Sequence, residues 1–302
     1  MEQKPVRGTE PLEPPSVDVA RLYLEEAEAV QRRRDERVDR YASAWQAILS
    51  GFAIAVIFTV MLLVSRAGAA NTQQLIFLII VTGQIIAGFA ERTGVQSRLD
   101  GSTRWAVVVL VVWGVAVVAL FMFALIDGQN RPLWLSFAPG VAIVVGFGGY
   151  GAVALYRDRG HPRPPAVPRE PLPVQTRAAT AGLGILMGMA ALSVGIDDAL
   201  LASTLSVVLM MVMLAWFFLW KTDAGPQALG RFWRWPQIAA YLLSVALVAW
   251  LALLRAYTEA VTAPLSLGVA AIAAVALGVA ASLGASASPA RESEGVVRRT
   301  DG

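Results

Sequence analysis

Long segments without a charged residue alternate with short charged segments along most of the chain. Eight segments of 19 to 31 residues contain no Asp, Glu, Lys or Arg: 41–65, 67–90, 105–126, 132–156, 178–196, 199–220, 235–254 and 260–290. A helix needs about 20 apolar residues to cross about 30 Å of hydrocarbon. Runs such as VVVLVVWGVAVVALFMFAL also lack the alternating polar positions of a membrane β-strand. The pattern therefore predicts an all-α integral membrane protein with eight transmembrane helices.

The basic residues predict how these helices are oriented. When the segments between the spans are counted alternately, 22 of the 25 Lys and Arg residues fall on one side of the membrane and three on the other. Basic residues favour the cytoplasmic side. We therefore expect a multi-pass protein of the plasma membrane, of the bacterial inner-membrane kind, with both its N-terminus and its C-terminus in the cytoplasm.

Two parts of the chain resemble each other. RYASAWQAILSGFA at 40–53 and RAATAGLGILMGMA at 177–190 are identical at seven of fourteen positions. Further pairs follow in the same order: Arg104-Trp105 with Arg234-Trp235, Pro132-Leu133 with Pro264-Leu265, and Gly146 with Gly278. Because each unit has an even number of spans, the pattern favours two parallel four-helix repeats, 41–156 and 177–286, related by a pseudo-two-fold axis along the membrane normal. The alternative is chance similarity between apolar helices of similar composition.

The remaining segments are expected on the cytoplasmic side. Residues 1–15 have the composition of a disordered tail, 157–176 form a Pro-rich linker, and 287–302 form a C-terminal tail. Residues 16–40 predict a cytoplasmic juxtamembrane helix with Ser16 as its N-cap. Ten acidic and eight basic residues precede residue 41, which argues against nucleic-acid binding. Membrane lipids and a cytoplasmic partner of this helix are the expected contacts.

Small residues recur at four-residue spacing in two of the predicted spans. The fifth span carries Gly184 and Gly188, and the eighth carries Ala270, Ala274 and Gly278. Such stripes allow helix backbones to approach closely in lipid, so these residues are predicted to pack helices together. The stripes fit an interface within the chain and equally fit a homo- or hetero-oligomer.

The middle of every span lacks an ionisable residue, which argues against an ion-coupled pump. The polar candidates for substrate binding are Gln84 with Thr82 nearby, Tyr150 and Tyr241. For Gln84 the alternative is a hydrogen bond between helices, because a lone amide in hydrocarbon needs a partner. These residues mark where a neutral solute could cross, if the chain carries one.

The sequence offers little for catalysis. It has no cysteine, and its only histidine, His161, lies in the Pro-rich linker without companions for a serine or metal mechanism. The adjacent Asp197 and Asp198 fit a turn between two spans better than a cation site. We expect no catalytic residue, no metal and no cofactor. Two functions remain: a membrane scaffold or accessory subunit of a membrane complex, and a facilitator or transporter subunit for a neutral or apolar solute, with its path between the two four-helix units.

Overall fold

A computed structural model of the chain describes residues 16–37, 40–68, 73–92, 101–126, 130–159, 172–220 and 222–283. All regular structure in these ranges is helical, and eight of the helices found there are long and apolar enough to cross a membrane, as the charge-free segments predict. The predicted tails 1–15 and 287–302, and most of the Pro-rich linker with His161, lie outside the described residues. The α-helices are α1 Val17–Arg37, α2 Arg40–Arg66, α3 Gln73–Arg92, α4 Gly101–Leu125, α5 Ala138–Ile143, α6 Gly149–Arg157, α7 Val174–Gly195, α8 Ala199–Phe217, α9 Pro226–Phe232, α10 Trp235–Tyr257 and α11 Ala263–Ser282.

The chain divides into two units, Met1–Val38 and Asp39–Gly302. The first unit contains α1, which follows Ser16. The N–H of Val19 donates a long hydrogen bond of 3.5 Å to the Ser16 hydroxyl oxygen, the position of an N-cap contact. All eight candidate spans belong to the second unit.

The fourth span is an interrupted helix. It begins with a 3₁₀ turn at Leu133–Ser136 after Pro132, continues as α5, passes through a π-helical segment at Val144–Gly148, and ends as α6. The glycine cluster of this span allows close contacts: the Trp113 indole ring of α4 occupies the space where a Cβ of Gly146 would lie. In the same way, the side chain of Ile48 of α2 occupies the space where a Cβ of Gly151 would lie. The span therefore keeps close packing despite its irregular backbone.

Each half of the second unit is organised around its first span. In the half formed by α2–α6, helix α2 contacts α3, α4 and the α5–α6 span, and in the half formed by α7–α11, helix α7 contacts α8, α10 and α11. The third and fourth spans also touch in both halves, as α4 with α5 and as α10 with α11. The most extensive pairing in the described residues is that of α7 with α11.

The α7–α11 pairing brings the two small-residue stripes together. A Cβ on Gly184 would lie 3.1 Å from the carbonyl oxygen of Ala274, and one on Gly188 would lie 3.1 Å from that of Ala270. Such an approach leaves little room for any larger side chain. Gly278 has no share in it, because nothing lies within 4 Å of its Cβ position. On α11, Ala270 and Ala274 therefore contact α7, whereas Gly278, one turn further along the small-residue pattern, does not.

The two halves share one hydrophobic core. Buried side chains from α2 and α3, such as Ile57 and Phe77, belong to the same cluster as Met187 of α7 and Leu251 of α10. Helix α4 is peripheral: within Val108–Leu125 only Val117, Phe121 and Ala124 are buried hydrophobic residues. The remaining apolar surface of α4 is available to lipid.

Candidate functional site: a polar seam between the two halves

Helix α3 carries polar side chains along its whole length, and most of them contact the second half of the chain. Gln74 lies at its first turn, Thr82 and Gln84 in its middle, and Glu91 and Arg92 at its last turn. An unpaired polar group in a bilayer costs several kcal/mol, so each of these groups needs a partner. We call these residues and their partners in α7–α11 the seam.

The middle of the seam is a buried hydrogen bond between side chains of the two halves. The hydroxyl oxygens of Thr82 and Tyr241 are 2.7 Å apart, and both residues are buried. The Tyr241 ring packs against the Trp233 ring, with 5.5 Å between the centroids. The Trp233 indole N–H donates to the Thr180 hydroxyl oxygen at 2.9 Å, and Thr180 in turn donates to the carbonyl of Thr176 at 2.7 Å. Two sets of hydrogen bonds, joined by the packing of the Tyr241 and Trp233 rings, therefore link α3 to α10 and α7.

Helix α9 lies against α3 at a glycine crossing. It begins at Pro226, a favourable first position because proline has no N–H to leave unpaired. A Cβ on Gly88 of α3 would collide with the backbone carbonyl of Gln227, and one on Gly230 would collide with the backbone of α3. At this crossing the side-chain amide of Gln227 donates to the Gln84 amide oxygen at 3.3 Å. Only glycine at both positions permits this approach.

At the last turn of α3, charged side chains form the final contacts of the seam. The Arg92 guanidinium donates to the carbonyl oxygen of Trp233 at 2.8 Å. The carboxylate of Glu91 lies 2.7 Å from the guanidinium of Arg231, which belongs to α9. This ion pair is about half exposed, so it contributes at most about 1 kcal/mol. The Arg92 contact fixes the turn between α9 and α10.

The opposite end of the seam is a buried cluster of one amide and two hydroxyl groups. The Gln74 amide nitrogen donates to the hydroxyl oxygen of Ser193 at 2.9 Å and to that of Ser206 at 3.3 Å. Both serine hydroxyls already donate to backbone carbonyls of their own helices, those of Ala190 and Ala202. The Gln74 amide oxygen therefore has no hydrogen-bond donor among the described residues. It is a buried acceptor on a side chain whose nitrogen bonds to α7 and α8.

The structure brings three of the four predicted substrate-binding residues to the seam. Thr82, Gln84 and Tyr241 all lie there, and each contacts a partner in the protein. Tyr150 lies apart from them on α6 and is 65% exposed. The sequence interpretation missed Gln74 and the aromatic Trp233. The available signal was the Gln73-Gln74 pair inside a charge-free segment, where a buried amide needs a partner.

Amides, hydroxyls and an indole N–H make up the middle of the seam, where they act as hydrogen-bond donors and acceptors. The carboxylate pair of the sequence analysis has other partners: Asp198 caps α8 by accepting from the N–H groups of Leu200 and Leu201 at 2.9 and 3.0 Å. Asp197 lies 2.6 Å from Arg255. No group of three or more His, Cys, Asp or Glu side chains that could hold a metal ion occurs within the described ranges.

No protein-family model, curated protein sequence or solved structure matches this chain.

Proposed function

We propose that this protein is a multi-pass membrane scaffold or accessory subunit of a membrane complex, without catalytic activity of its own. The observation that carries the proposal is the pairing of the seam. Thr82 with Tyr241 and Gln84 with Gln227 satisfy each other's hydrogen bonds within the protein. The surrounding side chains belong to the core that both halves share. A seam closed in this way favours a rigid platform over a solute path.

We further infer that the second unit arose from two parallel four-helix repeats. In each half the first span contacts the other three, and the third span contacts the fourth. The fourth spans differ in detail, because Gly146 packs against Trp113 whereas Gly278 meets open space. A duplication followed by divergence of the fourth span accounts for both observations. Such a repeat gives a subunit two similar lateral surfaces for neighbouring membrane proteins.

A cytoplasmic partner is expected to dock on α1. Val19, Leu22, Tyr23 and Val30 lie on one face of this helix at spacings of three, four and seven residues, and all are exposed. Such a stripe is the usual apolar face of a helix that binds a groove or another helix. Leu24 is exposed to the same degree as Leu22, 66% against 65%, but lies on the opposite side of the helix.

The matched pair Leu22→Glu and Leu24→Glu tests the docking face. Each variant of the full chain is purified from native membranes in mild detergent, and the co-purified proteins are quantified. We expect Leu22→Glu to lose a stoichiometric partner and Leu24→Glu to retain it. Equal recovery from both variants would remove the assignment of this face.

A facilitator for a neutral solute is the second candidate function, with its path along the seam. The buried Gln74 amide oxygen without a donor is the observation that favours it. Opening the long Gln84–Gln227 hydrogen bond would free the amide oxygen of Gln84 on the same helix. Under this function Gln84→Leu reduces solute flux in proteoliposomes, whereas under the scaffold function it leaves partner binding unchanged.

Cysteine accessibility separates the two functions because the natural chain contains no cysteine. Gln84→Cys and, as an exposed control between α10 and α11, Glu259→Cys are treated in proteoliposomes with a membrane-impermeant maleimide. The scaffold function predicts labelling at position 259 only. Rapid labelling at position 84, blocked by a transported solute, would replace the scaffold by the facilitator.

A further inference from the structure

An open apolar groove lies between α4 and the first part of the fourth span, and it belongs to neither the seam nor α1. Its volume is about 650 Å³, within the range of small-molecule sites. It opens to the surface that the membrane covers, since α4 is the peripheral span. The lining residues are Trp113, Trp134, Phe137, Ala138, Val141, Ala142 and Val145.

At one end of the groove, Trp113 packs against the π-helical segment of the fourth span. Trp113 of α4 fits over Gly146, and its ring meets that of Phe147 edge-on, with 5.7 Å between the centroids. Gly146 and Phe147 belong to the π-helical segment, which also contributes Val145 to the wall. Any side chain at position 146 would push Trp113 away from this seat. The irregular backbone of the fourth span therefore shapes the bottom of the groove.

The length of the groove corresponds to one leaflet. Trp134 and Val145 are eleven positions apart, and a helical rise of about 1.5 Å per residue makes this about 16 Å. Half of the hydrocarbon thickness of a bilayer is about 15 Å. A single acyl chain entering at Trp134 therefore ends near Trp113.

The open end of the groove carries positive charge. Arg131 lies three residues before Trp134, and its guanidinium sits 4.0 Å above the ring of Phe123 of α4. Arg66 donates to the carbonyl oxygen of Arg131, so a second guanidinium lies at this end. Guanidinium groups bind phosphate oxygens strongly, and tryptophan is common at the level of lipid headgroups.

We propose that this groove binds one acyl chain of an anionic glycerophospholipid, with the headgroup phosphate at Arg131 and the chain end at Trp113. The lipid belongs to the leaflet on the side of the α4–α5 connection. An apolar wall alone would accept any hydrocarbon. The cation at the mouth adds the preference for a negatively charged headgroup.

Native mass spectrometry of the full chain, titrated with phosphatidylglycerol or with phosphatidylcholine in detergent, tests the site. We expect wild-type protein to bind one phosphatidylglycerol more tightly than later ones, and to prefer it to phosphatidylcholine. Ala142→Phe fills the groove and should abolish this first binding step. Ala276→Phe, at a partly exposed alanine on the fourth span of the other half, should leave it unchanged.

If Ala142→Phe fails to fold, a second pair of variants tests the headgroup contact independently. Arg131→Gln should weaken the first phosphatidylglycerol about fivefold. Arg159→Gln is the control, because Arg159 also sits over an aromatic ring, that of Tyr156, but lies after the fourth span. Graded binding without a distinct first step, or equal affinity in Arg131→Gln and Arg159→Gln, would overturn the proposal.

Discussion

Replacing Gly88 by alanine should separate α9 from α3. A Cβ at this position would lie 2.9 Å from the carbonyl carbon of Gln227 and 3.0 Å from the Cα of Gly230, where carbon atoms prefer about 3.5–4.0 Å. Both neighbours are backbone atoms, so no side chain can rotate away. The Gln227 carbonyl oxygen would lie closer still, so helix α9 must then retreat by about 1 Å or more to reach an ordinary C···O contact. The 3.3 Å hydrogen bond between Gln227 and Gln84 is already long and would be lost.

The expected cost of Gly88→Ala follows from these contacts. Overpacking a close-packed site costs about 1–3 kcal/mol. A lost hydrogen bond between membrane helices adds about 0.6 kcal/mol on average. We therefore expect the free energy of unfolding to fall by about 1.6–3.6 kcal/mol. The free energy is measured by titrating the protein with SDS in mixed micelles and following the fluorescence of its nine tryptophans.

Gly83 provides the matched control on the same helix, because nothing lies within 4 Å of its Cβ position. Gly83→Ala should leave stability unchanged or raise it by up to about 1 kcal/mol, since alanine favours helix more than glycine does. Adding Gly230→Ala to Gly88→Ala should cost less than the two single changes together, because α9 has already moved. If Gly88→Ala and Gly83→Ala unfold alike, the glycine crossing does not hold α9.

Three further changes test individual contacts of the described residues by the same unfolding assay. Tyr241→Phe should cost about 0.6–1.7 kcal/mol, and a double-mutant cycle with Thr82→Val should assign most of that loss to their hydrogen bond; additive losses would contradict it. Asp198→Ala should lower the free energy of unfolding by about 1 kcal/mol through loss of the α8 N-cap. Asp197→Ala should change it by less than about 0.5 kcal/mol, because the ion pair of Asp197 is exposed. A larger loss in Asp197→Ala than in Asp198→Ala would refute this. Gln74→Leu should be nearly neutral, because it removes the buried amide oxygen that has no donor together with the N–H group that donates to Ser193 and Ser206, and both serine hydroxyls keep their bonds to backbone carbonyls. A loss above about 2 kcal/mol would contradict this.

The number of spans was predictable because charge is excluded from a bilayer interior over a fixed length. Each charge-free segment corresponds to one candidate span, including 132–156, whose glycines and prolines interrupt the regular helix. The short helix α9 was not predicted. Its seven residues fall in a segment with two arginines and have no membrane-length apolar pattern. Its position depends on the glycine crossing with α3, a tertiary contact that periodicity does not encode.

The seam was predictable only in part. Gln84 and Thr82 stand out because they are polar within an apolar segment, and Tyr241 stands out in the same way. Tyr150 has the same local signal but lies on an exposed surface, because an amphipathic tyrosine is also suited to the membrane interface. Which face of each helix turns inward depends on packing between segments more than 100 residues apart. The pairing of Thr82 with Tyr241 could not be read from either segment alone.

The distribution of the seam along the chain has a consequence for the order of membrane insertion. Helix α3 is synthesised well before α10, and 159 residues separate Thr82 from Tyr241. At about 5–20 residues per second, this interval is on the order of 10–30 s. During that time the polar groups of α3 sit in lipid without their final partners, and a chain stopped in the Pro-rich linker never acquires them. A nascent first half therefore carries polar side chains that cost several kcal/mol each while they are unpaired in the bilayer, and the second half supplies partners such as Tyr241 and Gln227.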